Sequence, residues 1–272
     1  ARRSSSSAGD CREIEQNKRF SLLYEGRGVC SPLCVVERAS IFEFNSHRQE
    51  IVGEVVSRVV AQTKDPIFAL NDAAYEEVKR LESSGGSELA EWQKLASAMG
   101  RMSDTDARAK LTAYAERFAW DIAGNFDPRV YKFASRAMAP LLGALLSPRT
   151  TLKHLGNSLD LTALDGRVVV EGARDHVSRL TEIGTVIFVP THLSNLDSVV
   201  FGFALERAGL PPATYGASKN LFTNPVLSFF MHNLSAYRID RRIRHQLYKE
   251  VLKAYSCVLI ERGYHSLFFP GG

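Results

Sequence analysis

His192 and Asp197 are the two residues of this sequence whose types and spacing are best suited to chemistry. They lie in TVIFVPTHLSNLDSVV, residues 185–200, where an apolar run ends at Pro190 and polar side chains follow at once. A histidine accepts a proton near neutral pH, and a nearby carboxylate holds its other ring nitrogen and stabilises the imidazolium that forms. Because the two residues are five positions apart, a tight loop that runs into a helix would bring their side chains together. The pair is therefore a candidate for general acid–base catalysis.

The same segment also has a purely structural interpretation, which the sequence leaves open. Asp197, Ser194 or Asn195 could each cap the N-terminus of the helix predicted for residues 197–208. A lone histidine and aspartate at this spacing occur by chance in many proteins. Ser194 is two residues from the histidine, but it lacks the strained Gly-x-Ser-x-Gly turn that exposes the nucleophile of serine hydrolases. The residues nearby therefore do not by themselves decide between a catalytic and a capping role.

Cations and glycines follow three further predicted strands. Lys219 follows ATYGAS (213–218), Arg238, Arg241 and Arg242 lie at the end of SAYRID (235–240), and Gly271 and Gly272 follow SLFFP (266–270). Arginine binds phosphate through paired hydrogen bonds, so these cations are candidates for holding an anion near His192. The alternative for the arginines is a solvated basic turn, because charged runs usually face water.

The elements that must position these residues follow an α/β pattern from about residue 165. Short β-branched runs alternate with helical segments, which is typical of a mixed or parallel sheet with crossover helices. The predicted strands are 167–172, 185–190, 213–218, 235–240 and 266–270, and the predicted helices lie near 173–183, 197–208, 223–234 and 243–262. In such sheets ligands bind beyond the carboxyl ends of the strands, which is where His192 falls.

The first half of the chain has a different pattern. After a polar start, residues 20–45 are interpreted as hairpin-like, and apolar residues then recur at helical spacing, as in HRQEIVGEVVSRVVAQT. Ser103 and Asp106 have the spacing of a capping box at the start of a further helix. We therefore predict a poorly defined segment 1–45, a helical region 46–160 and an α/β domain 161–272. His154, His176 and His245 lack metal-ligand spacing and are predicted to be surface residues.

Composition narrows the class of protein. The 272 residues carry a formal charge of +4, with a pI near 8.9, which suits an anionic partner without identifying it. Four scattered cysteines argue against a disulfide scaffold and a zinc site, and favour a reducing compartment. No segment has the roughly 18 to 20 uninterrupted apolar residues that a membrane span needs. Residues 133–148 come nearest, and we interpret them as a core or docking helix, with an interfacial membrane contact as the alternative.

Four blocks in the α/β half resemble the glycerolipid acyltransferase superfamily, which includes glycerol-3-phosphate and 1-acylglycerol-3-phosphate acyltransferases. THLSNLDS resembles the family's His-x4-Asp block, and GASKNLFTNPVLSFF its second block. AYRIDRR resembles its Ile-Asp-Arg block, and LFFPGG the beginning of its Phe-Pro-Glu-Gly-Thr-Arg block. The resemblance covers roughly residues 165–272, and the four blocks occur in the family's order.

The resemblance implies acyl transfer from acyl-CoA or acyl carrier protein to a hydroxyl of glycerol-3-phosphate or lysophosphatidate. His192 would be the general base, and Asp197 would orient it. The predicted substrate contacts are Ser194, Asn195, Lys219, Arg238, Arg241, Arg242, Gly271 and Gly272, with the cations holding phosphate and the glycine amides helping to form a phosphate or oxyanion pocket. Neither a metal nor a cofactor beyond the acyl thioester is implied. The expected location is the cytoplasmic side of a membrane, as a peripheral protein without a transmembrane helix in this chain.

Two departures from the family pattern favour a second hypothesis. Gly271 stands where the family block has Glu, and the sequence ends at Gly272, before the family's Thr-Arg. The sheet is therefore expected to be incomplete at the C-terminus, as in a part of a longer acyltransferase. The alternative function is a non-catalytic remnant that binds lipid or a membrane. Nucleic-acid binding rests on charge alone, with no recognition module, so we predict no nucleic-acid partner.

Overall fold

In the computed structural model of the protein, residues 39–146, 169–192, 197–223 and 225–270 are described, without the side chains of residues 138–146, 199, 226 and 227. The described residues belong to one compact unit, Glu37–Gly272. The boundary predicted near residue 160 and His154 lie outside the described residues.

Five α-helices lie in the described residues of the first half. They are α1 (Phe44–Gln62), α2 (Pro66–Ser84), α3 (Leu89–Ala98), α4 (Asp104–Ile122) and α5 (Pro128–Leu146). The N-cap predicted at Ser103 is confirmed, because its hydroxyl accepts a hydrogen bond from the Asp106 N–H at 3.2 Å; the hydroxyl also donates to the Asp106 carboxylate at 2.7 Å. The Asp65 carboxylate caps α2 by accepting a hydrogen bond from the Phe68 N–H, with Pro66 in the first turn. Local sequence signals therefore set where these helices begin.

The second half alternates strands and helices. The elements are α6 (Arg174–Ile183), β1 (Ile187–Phe188), α7 (Asp197–Arg207), β2 (Thr214–Ser218), α8 (Pro225–Asn233), β3 (Ala236–Ile239), α9 (Gln246–Glu261) and β4 (Ser266–Leu267). A 3₁₀ turn, Lys219–Thr223, joins β2 to α8. The predicted α/β class is confirmed.

The sheet has the strand order β1-β4-β2-β3, and every described pairing is parallel. The sequence had left mixed and parallel sheets open. Parallel pairing places the carboxyl ends of all four strands at one edge, which gathers segments that are far apart in the chain. The strand predicted for 185–190 is shorter than expected, since only Ile187 and Phe188 pair with β4.

Two predictions of secondary structure are wrong over the described residues. Residues 169–172 of the strand predicted for 167–172 form no strand. Val169 is 67% exposed, so its β-branched side chain has no sheet face to bury it. The predicted hairpin-like stretch 20–45 is described only from residue 39, and that end is helical: Ser40 caps a 3₁₀ turn that leads into α1.

The helices of the first half share one hydrophobic core with α9 and β3. Its members include Ile51, Leu70, Trp92, Leu111, Ile122, Tyr237, Val251 and Tyr255. Burial of this common apolar surface joins the two sequence halves, because the hydrophobic effect scales with the area removed from water. No helix in the described part of the chain is both long and apolar enough to cross a membrane.

His245 is buried, which corrects the surface position expected from sequence. It is the N-cap residue of α9, where its Nδ1 accepts a hydrogen bond from the Tyr248 N–H at 3.2 Å. Its ring lies 5.2 Å from Phe118, and its Nε2 lies 3.9 Å from the buried carboxylate of Glu77. The sequence carried no sign of this burial, since the helices that cover the histidine are more than 100 positions away in the chain.

The buried imidazole predicts that the free energy of unfolding decreases from pH 6.5 to pH 4. Burial lowers the pKa of His245 from 6.5 to about 4. The unfolded chain therefore binds more protons in this window, and stability falls as the pH falls, by about 3 kcal/mol at most for the full shift. His245→Asn, which retains a capping side chain but does not titrate, is expected to flatten the dependence of the urea midpoint on pH. Equal slopes in the two proteins would contradict the prediction.

Candidate functional site

The candidate site lies at the carboxyl edge of the parallel sheet. His192 follows β1, Lys219 follows β2, and Asp240, Arg241 and Arg242 follow β3. The segment after β4 runs beside His192, where the Phe269 ring lies 4.7 Å from the imidazole. Sheet pairing therefore brings residues of all four sequence blocks to one region.

His192 and Asp197 are hydrogen-bonded to each other. Nδ1 of His192 lies 3.0 Å from Oδ2 of Asp197, and both side chains are partly exposed. Asp197 is the first residue of α7. An ionised carboxylate only accepts hydrogen bonds, so the imidazole Nδ1 donates to it. Nε2 is then the nitrogen left to take a proton, which is the arrangement that a general base requires.

A cavity of about 540 Å³ opens beside this pair. Its polar side chains near the sheet edge include His192, Ser198, Ser218 and Arg241. Much of the remaining wall is apolar and includes Leu221, Met231, Ile239, Leu252, Ile260 and Phe269. The size is that of a ligand pocket, and the composition suits a ligand with a hydrocarbon part and a polar reacting end.

The two adjacent arginines after β3 have different surroundings. Arg241 lines the cavity with His192. Arg242 donates from Nε and Nη2 to the Asp240 carboxylate, at 2.9 and 2.8 Å. Asp240 is 4% exposed. Burial by itself raises the pKa of Asp240, but the hydrogen bonds and charge of Arg242, with the charge of Lys219, outweigh it and hold the pKa below its usual range.

The other two predicted cations lie in different environments. The ammonium of Lys219 forms ion pairs with Asp121 of α4, at 3.0 Å, and with Asp240, at 3.7 Å. The guanidinium carbon of Arg238 lies 5.1 Å from the centre of the Phe222 ring. Thus Arg241, Lys219 and Arg242 all lie at the sheet edge, but of the four predicted cations only Arg241 is in the cavity wall described with His192. Ser194, Asn195, Gly271 and Gly272 fall outside the described residues.

Asp240 is an organising residue that sequence reasoning missed. Its carboxylate accepts hydrogen bonds from Arg242 and forms an ion pair with Lys219. Its backbone N–H donates to the Tyr248 hydroxyl of α9 at 2.8 Å. The signal was present in the block AYRIDRR, where a carboxylate stands beside two arginines. Phe269 and Asp121 were also missed, because nothing local shows that they approach His192 and Lys219. Within the described residues, no group of three or more histidine, cysteine or acidic side chains is arranged to hold a metal ion.

Part of the chain is similar to known acyltransferases. Residues 168–272 match the sequence model of the Acyltransferase family. The chain is 29% identical over 175 residues to glycerol-3-phosphate acyltransferases of Pseudomonas paraeruginosa and Pseudomonas aeruginosa, a match that covers 62% of this chain and 18% of each relative. The glycerol-3-phosphate acyltransferase of Xanthomonas campestris is 26% identical over 162 residues, which is 58% of this chain and 16% of that relative.

The match of residues 168–272 to the Acyltransferase family agrees with the resemblance that the four sequence blocks carry. The matched segment spans less than a fifth of the length of these curated relatives. The 29% match covers 175 residues, whereas the family model covers 168–272, so the similarity to these relatives extends beyond the α/β blocks.

Proposed function

We propose that this protein transfers a fatty acyl group from a thioester to a hydroxyl of a phosphorylated glycerol, with His192 as the general base. The observation that carries the proposal is the His192–Asp197 hydrogen bond beside an apolar cavity that also contains Arg241. The names of the relatives favour glycerol-3-phosphate as the acceptor, with lysophosphatidate as the second candidate. Acyl-CoA and acyl carrier protein are the candidate donors.

The proposed reaction proceeds without a covalent acyl-enzyme. Nε2 of His192 takes the proton of the acceptor hydroxyl as its oxygen forms a bond to the thioester carbonyl carbon. Asp197 holds the imidazole by Nδ1 and stabilises the imidazolium. The carbon–sulfur bond then breaks, and the thiolate leaves with the proton that the imidazolium returns. Arg241 balances the charge of the acceptor phosphate, and the apolar wall takes the hydrocarbon chain.

The product of this reaction is a lipid, so we further propose peripheral association with the cytoplasmic face of a membrane. The net positive charge supports contact with an anionic surface. This part of the proposal concerns location and can be tested without the reaction.

The reaction is tested by incubating the purified protein with a long-chain acyl-CoA or acyl carrier protein and each acceptor. Free thiol and acylated product are both measured, the latter by mass spectrometry. Product formed in proportion to thiol, and dependent on the acceptor, is expected. Release of thiol without an acylated acceptor would indicate a hydrolase. Absence of turnover with retained binding of the acyl thioester would favour the non-catalytic lipid-binding alternative.

A further inference from the structure

One exposed face of α5 combines aromatic and basic side chains. Arg129, Lys132, Phe133 and Arg136 are spaced three and four residues apart, so they share a face of the helix, and all four are exposed. Ala134, about a quarter of a turn away from Phe133, is buried against the protein. The orientation of α5 is therefore fixed by its buried side, and the basic face is turned to solvent.

Phe133 is the end of a row of three aromatic rings. Its ring stacks on Phe230 of α8 at a centroid distance of 6.2 Å and an interplanar angle of 12°. Phe230 contacts Phe229 edge-on, at 5.5 Å. Phe133 is 61% exposed and Phe229 is 53% exposed. Large apolar side chains that are exposed next to each other mark interaction surfaces, whereas isolated ones need no explanation. We call these three phenylalanines, together with Arg129, Lys132 and Arg136, the aromatic–basic surface.

Basic side chains predominate around this row of rings, and the acidic exception is the exposed Glu206 of α7, a helix that packs against α5, whose charge acts on Tyr131. The sequences of α5, of α8 and of the turn Lys219–Thr223 contain no aspartate or glutamate. Asp127 precedes α5 and accepts a hydrogen bond from the Arg129 N–H at its N-terminus. None of the three exposed α5 cations forms an ion pair with a described residue, in contrast to Arg58, Arg117 and Arg262, which are all paired. Their charges are available to an external anion.

Helix α8 lies between the surface and the cavity. Met231 lines the cavity with Leu221 and is buried. Phe229, two residues earlier and on the opposite side of the helix, is exposed. Aromatic rings with unpaired cations on one face are the combination that inserts into the interface of an anionic bilayer.

We infer that the aromatic–basic surface docks the protein on a lipid bilayer that contains anionic phospholipid. Phe133 and Phe229 enter the boundary between headgroups and acyl chains, while Lys132 and Arg136 contact lipid phosphates. The inference deepens the proposed function and rests on it for the choice of partner, but its assay contains no acyl donor, so the two can fail separately. A bilayer is favoured over a second copy of this chain because the same basic face on both copies would repel itself.

The test is sedimentation of the purified protein with vesicles of phosphatidylcholine alone or with about a third phosphatidylglycerol. Phe133→Ser/Phe229→Ser is expected to lower the partition coefficient on anionic vesicles by about tenfold or more. Lys132→Gln/Arg136→Gln is expected to lower it by about tenfold at low salt, and raising the salt from about 0.05 M to about 0.5 M should remove most of this difference. All replaced side chains are exposed, and thermal unfolding verifies that each variant is folded.

Matched controls distinguish binding through this surface from nonspecific binding through other exposed aromatic and basic side chains. Phe68→Ser removes a phenylalanine that is 69% exposed on α2, and Lys94→Gln/Lys110→Gln removes two exposed cations of α3 and α4. Both controls should retain the partition coefficient of the parent protein. Equal loss in variants and controls would overturn the inference, as would binding that does not distinguish the two vesicle types. Concentration-dependent self-association that Phe133→Ser/Phe229→Ser abolishes, without vesicle binding by the parent, would assign the surface to a second copy instead.

Discussion

His192→Ala is expected to lower the turnover number for acyl transfer by about 10²–10⁴-fold while leaving the protein folded. The variant removes the nitrogen that takes the hydroxyl proton, and no other histidine is described in the cavity wall. The imidazole is partly exposed, and its described partners are the Asp197 carboxylate and the Phe269 ring, so its loss costs little core packing. The measurement is the initial rate of acceptor-dependent thiol release, with saturating donor and acceptor.

His176→Ala is the matched control for this variant. His176 is an exposed histidine of α6 and is outside the cavity wall. Its replacement should leave the rate unchanged. Asp197→Asn tests the proposed orientation, because an amide can accept the Nδ1–H but cannot stabilise the imidazolium by charge; an intermediate loss is expected. If His192→Ala retained the rate of the parent protein, His192 would not be the base, and the cavity would need another catalytic group.

Arg241→Gln is expected to lower kcat/KM for glycerol-3-phosphate by about 10- to 100-fold, mainly through KM. A hydrogen bond to a charged group contributes about 1.5–3 kcal/mol, and the loss of one partner leaves the acceptor phosphate without its counter-charge. The effect should depend on the phosphate, so the rate with glycerol, which lacks it, should change little. The measurement is the dependence of the rate on the concentration of each acceptor.

Arg242→Gln is the matched control, since it changes the neighbouring residue in the same chemical way. Arg242 is bound to the Asp240 carboxylate through two hydrogen bonds. Its replacement is expected to lower the denaturation midpoint, because the buried Asp240 loses two hydrogen bonds and keeps only Lys219 as a counter-charge, and to affect KM less than Arg241→Gln does. The reverse order of KM effects would show that Arg242 releases Asp240 and binds the acceptor.

Much of the local structure could be predicted because its causes are local. Ser103 with Asp106, for example, sets a helix start through contacts within one turn. The alternation of short apolar runs with helical segments gave the α/β class. The strand predicted for 167–172 was wrong over 169–172, because β-branched composition predicts a strand only where a neighbouring strand and a covering face exist.

Surroundings contributed by distant segments could not be predicted. The sequence around His245 is typical of an exposed loop. In the structure its side chain is surrounded by Glu77 of α2, Trp92 of α3 and Phe118 of α4. Lys219 was predicted as a free phosphate ligand, whereas Asp121, 98 positions earlier in the chain, forms an ion pair with it. Such contacts depend on how helices pack on the sheet, which no short sequence window contains.

The sequence alone determined which residues are candidates for acyl-transfer chemistry and the order in which they occur. His192 and Asp197 are five positions apart after an apolar run, and four blocks resemble one enzyme superfamily. Tertiary structure decided which of these groups meet. The parallel order β1-β4-β2-β3 brings the ends of β1 and β4 together, so that Phe269 lies against His192, and the turn after β3 directs Arg241 to the cavity and Arg242 to Asp240. Adjacent arginines have the same propensities and charge, so only the packed backbone distinguishes their roles.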